Sequence, residues 1–229
     1  MPLKSPYSVV LWDVDGTIVD ASVGILRRLT KVLTDAGRPA PTREELVHWI
    51  GPPMFESFQQ QGHMPVDEAR KAVLAYRALG KADGYTTNVA TYPEIPELIR
   101  DLHAAGVPQG VASSKPEIQV RALMEHFGLI DAFAAITGST PDEETLAHKS
   151  DIVAEELRRL EAAGVDVSRP VLVGDRHHDV EGGNANGVPV IFVRWGFSEP
   201  EEADGAVAAA DDPAALRALL LGPEASTRP

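Results

Sequence analysis

Four short apolar runs punctuate the chain, at Val9–Trp12 and at residues 107–112, 171–173 and 188–193, and each gives way to turn or polar residues and then to a helical pattern. That rhythm predicts an α/β protein built on a parallel sheet with helices packed against it. Only about a dozen residues separate the third run from the fourth, enough for one short crossover helix over 179–185, so this stretch reads as a βαβ unit. Over 150–160, Ile152, Val153, Leu157 and Leu160 fall on one helical face and Glu155, Arg158 and Arg159 on the other, the pattern of a helix lying on a sheet. A further helix is expected at about 94–105, opened by an early proline and acids and stopped by Gly106.

The spacing between the first two runs is irregular. A crossover needs about 30 residues, yet Ser113 stands a hundred positions after Asp13. The surplus of about 70 residues holds helix formers at 22–36, 42–49 and 66–79, between Gly- or Pro-bearing hinges near 19–21 and 84–92. It reads as a helical domain, residues 21–87, inserted after the first strand of a core made of 1–20 and 88–229. The tail from 222 to 229 lacks apolar periodicity and is expected to fray.

Composition narrows the partners. Across 229 residues, 21 Lys and Arg face 34 Asp and Glu, a formal charge of −13. That balance disfavours nucleic-acid polymers and anionic membranes, and no run approaches the ~20 apolar residues of a membrane span. With no cysteine there is no disulfide, thiolate nucleophile or Cys-ligated zinc, as expected of a cytoplasmic protein.

The chemistry gathers at the ends of the apolar runs. After the first stands Asp13-Val14-Asp15-Gly16-Thr17. Two carboxylates one residue apart can do separate work if the chain turns out of the extended form, one as a nucleophile and the other as an acid/base. After the third stands Gly174-Asp175-Arg176-His177-His178-Asp179, whose acids, four apart, can face one site from a strand-to-helix turn. Hard oxygen donors without cysteine point to Mg²⁺. Ser113 and Ser114 end the second strand and Lys115-Pro116 opens the next helix, supplying hydroxyl and N–H donors for phosphate oxygens. Lys149 brings a point positive charge. His177 and His178, neighbours on a helix, are expected to diverge and to serve local hydrogen bonding rather than zinc. Residues 49–58 are expected to pack the insert, and Glu56, Arg77 and Lys81 are polar positions that can read a substrate.

In order, the DxDGT run, the serine before Ser-Lys-Pro, the isolated Lys149 and the GDxxxxD run resemble the four motifs of the haloacid dehalogenase superfamily. Ile50-Gly51-Pro52-Pro53 and Tyr92-Pro93-Glu94-Ile95-Pro96-Glu97-Leu98 bring the chain nearest its phosphoglycolate phosphatase-like or 5′-nucleotidase-like branch. The resemblance implies a Rossmann-like core with a helical cap. It makes Asp13 the nucleophile and Asp15 the acid/base, and assigns Asp13, the Asp15 carbonyl and Asp175 to Mg²⁺, with Asp179 close by or acting on it through water. Gly16, Thr17, Ser113, Ser114 and Lys149 go to the phosphoryl group. It further implies a Mg²⁺-dependent phosphatase of small phosphorylated metabolites, acting through an aspartyl-phosphate as a monomer or homodimer. A sugar phosphomutase and a catalytically silent module on the same fold are the alternatives. Trp12 stands where Phe is common in the family, Ala21 where Ser is common and Ser113 where Thr is; none of these removes a catalytic oxygen.

Overall fold

The computed structural model describes residues 5–140 and 146–222. The expected frayed tail lies outside the described residues from 223 onward. The core is a six-stranded sheet in the order β5-β4-β1-β6-β7-β8, with every adjacent pair parallel. Its strands are β1 (Val9–Trp12), β4 (Gln109–Pro116), β5 (Ala135–Ser139), β6 (Pro170–Gly174), β7 (Val190–Val193) and β8 (Ala208–Ala210).

Central β1 is buried on both faces, which is why its sequence runs apolar without alternation. Val10 and Trp12 enter one hydrophobic cluster with α4 (Ile95–Ala104), α5 (Glu117–His126) and α8 (Pro213–Leu221). Val9 and Leu11 enter the opposite cluster, with α6 (Lys149–Ala162) and α7 (His177–Ala185). Trp12 is a buried aromatic, as expected, and its Nε1 donates to Gln109 Oε1 at 3.0 Å.

Four differences from the sequence reading have local causes. First, β4 runs on through Lys115 and Pro116, and α5 begins only at Glu117, past an irregularity in the β4–β5 register between Ser113 and Pro116. Second, β5 was not expected, because Ala-Ile-Thr-Gly-Ser carries little apolar bulk. A side chain at Gly138 would overlap the Lys115 and Glu117 backbone, so small residues are required there. Third, the helix expected at 42–49 is a short 3-10 turn, Glu45–His48, with Thr42 and Glu45 exchanging side-chain hydrogen bonds at its start. Fourth, α2 (Met54–Gln60) was missed, being barely two turns long after Pro53.

The stretch between β2 (Val19–Asp20) and β3 (Ala90–Thr91) is helical. These two short strands pair antiparallel, where hinges were expected. Helices α1 (Ser22–Asp35), α2 and α3 (Val66–Asp83) share a hydrophobic cluster of their own, including Leu29, Leu33, Trp49 and Phe58. Among the described residues, no helix is long and apolar enough to cross a membrane.

Candidate active site

In an open parallel sheet, a crevice forms where crossovers leave a strand in opposite directions. Here that strand is β1, flanked by β4 and β6, and the carboxyl ends of the three deliver the polar motifs. The chain turns sharply after Asp13. Gly16 has φ +88°, its N–H donates to Val19 O, and the N–H groups of Ile18 and Val19 both reach Val14 O. This turn abolishes strand alternation, so Asp13 and Asp15 meet different partners. A Cβ on Gly16 would run into the Asp175 carboxylate, so both conformation and space demand glycine.

Asp13 is 7% exposed, and its Oδ1 lies 2.6 Å from Lys149 Nζ. The same ammonium lies 2.5 Å from Asp179 Oδ1. Asp179 also accepts the Arg176 N–H through Oδ2 at 3.0 Å, tying the start of α7 to the site. Asp175 is fully buried, accepting from Phe197 N at 2.7 Å and Thr17 Oγ1 at 3.3 Å. Carboxylate oxygens of Asp13, Asp175 and Asp179 lie within 4.8 Å of one another.

Burial pushes the Asp13 carboxyl up; Lys149 pulls it down, and Asp179 pushes it up again. Burial and the neighbouring Asp179 and Asp13 hold Asp175 well above the usual carboxylate range. For Lys149, burial opposes the charge, but Asp13 and Asp179 outweigh it and its pKa stands above that of an ordinary lysine. Three converging carboxylates against one buried ammonium make a site deficient in positive charge, and its all-oxygen donor set fits a hard divalent cation.

Most of the expected site residues share one cavity. Asp13, Asp15, Ser113, Ser114, Lys149 and Asp179 line it, with Asp175 directly behind. Gly16 and Thr17, expected at the phosphate, do not line it. Their N–H groups are bonded to Val19 O and Val14 O, and the Thr17 hydroxyl donates to Asp175. Ser113 Oγ accepts the Lys115 N–H at 3.3 Å, which leaves its proton available to an acceptor.

Lys115 does not open the next helix. Held in the extended end of β4, it places Nζ 2.8 Å from Asp15 Oδ2. A sequence signal existed: after Arg100 the chain uses lysine only at 115 and 149, and both reach the motif acids.

His177 and His178 do not diverge as expected. At the first turn of α7 their rings approach with centroids 3.8 Å apart and planes tilted by 42°, and with exposed Glu181 they bring donor atoms within 4.8 Å. His177 Nδ1 is paired with Glu202 Oε2 at 2.7 Å, the local role expected of it. His178 lines the cavity, and burial first, then His177 and Arg176, lower its pKa to about 4.

The insert roofs the cavity with Ile25, Ile50, Pro52, Met54 and Tyr76. Residues 49–58 pack the insert as expected, with Trp49 and Phe58 edge to face, and also line the cavity through Ile50 and Met54. Of the three polar positions considered there, Arg77 lines the cavity, whereas Glu56 lies 3.8 Å from His148 and Lys81 is exposed.

Residues 10–193 match the family model for haloacid dehalogenase-like hydrolases. The chain belongs to this family. It is 36% identical over 203 residues to the tyrosine-protein kinase PtkA of Mycobacterium tuberculosis, covering 89% of this chain and 67% of that one. It is 34% identical over 196 residues to a 5′-nucleotidase of Pseudomonas aeruginosa, covering 86% of each. Among solved structures, a predicted phosphatase from Clostridium acetobutylicum superposes with a TM-score of 0.84 at 30% identity, covering 92% of this chain and 96% of that one. The Rossmann-like core carrying a helical insert is therefore the fold of this hydrolase family.

Proposed function

We propose that this phosphoric monoester hydrolase is Mg²⁺-dependent, acts on a small phosphorylated metabolite in the cytoplasm and works through an aspartyl-phosphate. The observation that carries the reading is the convergence of the Asp13, Asp175 and Asp179 carboxylates, with Lys149 on Asp13 and Asp179 and with Asp15 and Ser113 on the same cavity.

Asp13, Asp175, Asp179 and the Asp15 carbonyl would hold the ion. When bound, Mg²⁺ offsets phosphoryl charge that these carboxylates would otherwise repel. Asp13 attacks phosphorus, forming an acyl phosphate as the bond to the leaving oxygen breaks. Asp15 gives a proton to that oxygen and then takes one from the water that attacks the acyl phosphate, which regenerates Asp13. Lys149 fixes Asp13 and meets the charge of the transferring group, and the Ser113 hydroxyl donates to one of its oxygens. Residues 21–87 act as a cap, excluding bulk water and presenting an apolar wall with Arg77 to the leaving group.

Exhaustive chelation with EDTA tests the metal: phosphate release should stop and return on adding Mg²⁺, and activity that persists refutes this part. The likeness to a protein named as a tyrosine kinase raises a second acceptor for the same phosphoryl group. Transfer of label from γ-labelled ATP to a tyrosine peptide, absent in an Asp13→Asn variant, would favour that acceptor over water.

A further inference from the structure

The Arg176 side chain leaves the sheet domain and ends on the insert. It is 5% exposed; Nε donates to Glu202 Oε2 at 2.8 Å and Nη1 donates to the backbone carbonyl of Ile50. Glu202 is itself fixed, accepting the His177 N–H at 3.0 Å and pairing with the His177 ring at 2.7 Å. On the insert side, the chain turns at Gly51 with φ +113°, a conformation that L side chains rarely adopt. A Cβ at Gly51 would stand 3.2 Å from Arg176 Cγ and 3.3 Å from Nη1, so the glycine also makes room for the guanidinium. The Ile50-Gly51-Pro52-Pro53 motif thus presents a carbonyl to a buried cation of the other domain.

We propose that Arg176 is a positioning residue that latches the insert closed over the catalytic acids, with Glu202 as its brace and the Ile50 carbonyl as its catch. The guanidinium fork suits this task because it donates in two directions from one rigid plane, which an ammonium on a flexible stem does not reproduce. The latch hangs from the turn that carries the acids: Arg176 follows Asp175 directly, and its N–H is bonded to Asp179. Closing on Ile50 therefore sets the register of Ile50, Pro52 and Met54 above Asp13. A hydrogen bond from a charged donor, lost on opening, shifts the ratio of closed to open forms by about tenfold or more. The proposal rests on reading the insert as a cap, so its main test measures cap position and not turnover.

The chain has no cysteine, so cysteines placed at exposed Leu74 on α3 and exposed Val207 beside β7 accept spin labels cleanly. Pulsed electron paramagnetic resonance on this pair should give one narrow distance population in the parent. Arg176→Met and, from the other side of the contact, Gly51→Ala should each move the distribution toward longer distances, with the closed-to-open ratio falling about tenfold. Gly51→Ala leaves every charge in place and keeps the test decisive if Arg176→Met does not fold. Unchanged distributions in folded variants refute the latch.

Kinetics with p-nitrophenyl phosphate and Mg²⁺ supply the second arm. A closed-to-open ratio falling from about ten to about one lowers the closed fraction from about nine-tenths to about one half, which raises KM about twofold at unchanged kcat. A fall in kcat at unchanged KM would place Arg176 in the chemistry instead and overturn the latch. A parent without hydrolysis counts against the phosphatase reading and leaves the distance measurement to decide this one.

Discussion

Lys149 shows how a single side chain acquires its role. Its ammonium is buried, which disfavours the charge, yet it lies within 2.6 Å of Asp13 and 2.5 Å of Asp179, and their attraction prevails. Asp13→Asn keeps the shape and removes the proposed nucleophile, so phosphate release should fall by a thousandfold or more, roughly the scale of losing an essential catalytic group. Hydrolysis at the wild-type rate by folded Asp13→Asn would falsify the assignment. Lys115→Met frees Asp15 from its 2.8 Å partner while leaving Asp13 and Lys149 untouched. Since misplacing a reacting group by about 1 Å can cost a hundredfold, kcat should drop about ten- to a hundredfold; kinetics at saturating substrate would show it. Asp13, Asp15 and Lys149 were legible in the sequence because their motif spacing is specific. Lys115 was not, since its reach depends on β4 continuing two residues beyond Ser114.

At the scale of elements, α6 packs on β4 and β5 with a glutamate in the contact. Glu156 is fully buried, accepts from Thr137 Oγ1 at 2.6 Å and lies where a Cβ on Gly110 would sit. Burial pushes its carboxyl up to about 7, against the hydrogen bond from Thr137. The folded state therefore binds this proton more tightly than the unfolded chain, whose value is 4.5. The stability from this group is complete below pH 4.5 and is lost as the pH rises to 7, on the order of 3 kcal/mol in all. His178, held neutral with a pKa of about 4, works in the opposite sense: its contribution is lost as the pH falls from 6.5 to 4. Comparing urea melts of wild type and Glu156→Gln at several pH values cancels the histidine. The stability difference should shift in favour of the glutamine variant between pH 4.5 and 7, and a pH-independent difference would refute the account. Helices with long apolar stripes, such as α1, α4 and α6, were legible because burial selects every third or fourth residue. Strands β5 and β8 were not. Their small residues answer to neighbouring backbone and to the sheet edge, which no local pattern records.

For the molecule as a whole, the cavity lies between two separately packed bodies, the sheet with its two clusters and the insert with its own. Under the proposed function, substrate choice falls to the insert's apolar wall and Arg77, which line the cavity above the acids. A panel of phosphoglycolate, nucleoside monophosphates and sugar phosphates with Mg²⁺ should therefore show one class favoured by about tenfold or more in kcat/KM, and Arg77→Met should flatten that preference while leaving the kcat for p-nitrophenyl phosphate within about threefold. A flat wild-type profile would refute a selective cap. Isomerisation of glucose 1-phosphate without phosphate release would identify a mutase.

The sequence by itself determined the parallel-sheet core, the helical insert after β1 and the identity of the motif acids. Short-range patterning and fixed spacing from strand ends are properties a linear chain carries. Only the tertiary structure decided that Thr17 and Gly16 turn toward Asp175, that Lys115 finds Asp15, that two adjacent histidine rings meet and that Arg176 grips Ile50. Each of these joins groups whose meeting depends on where a turn, a strand end or another domain places them, and no periodicity encodes those distances.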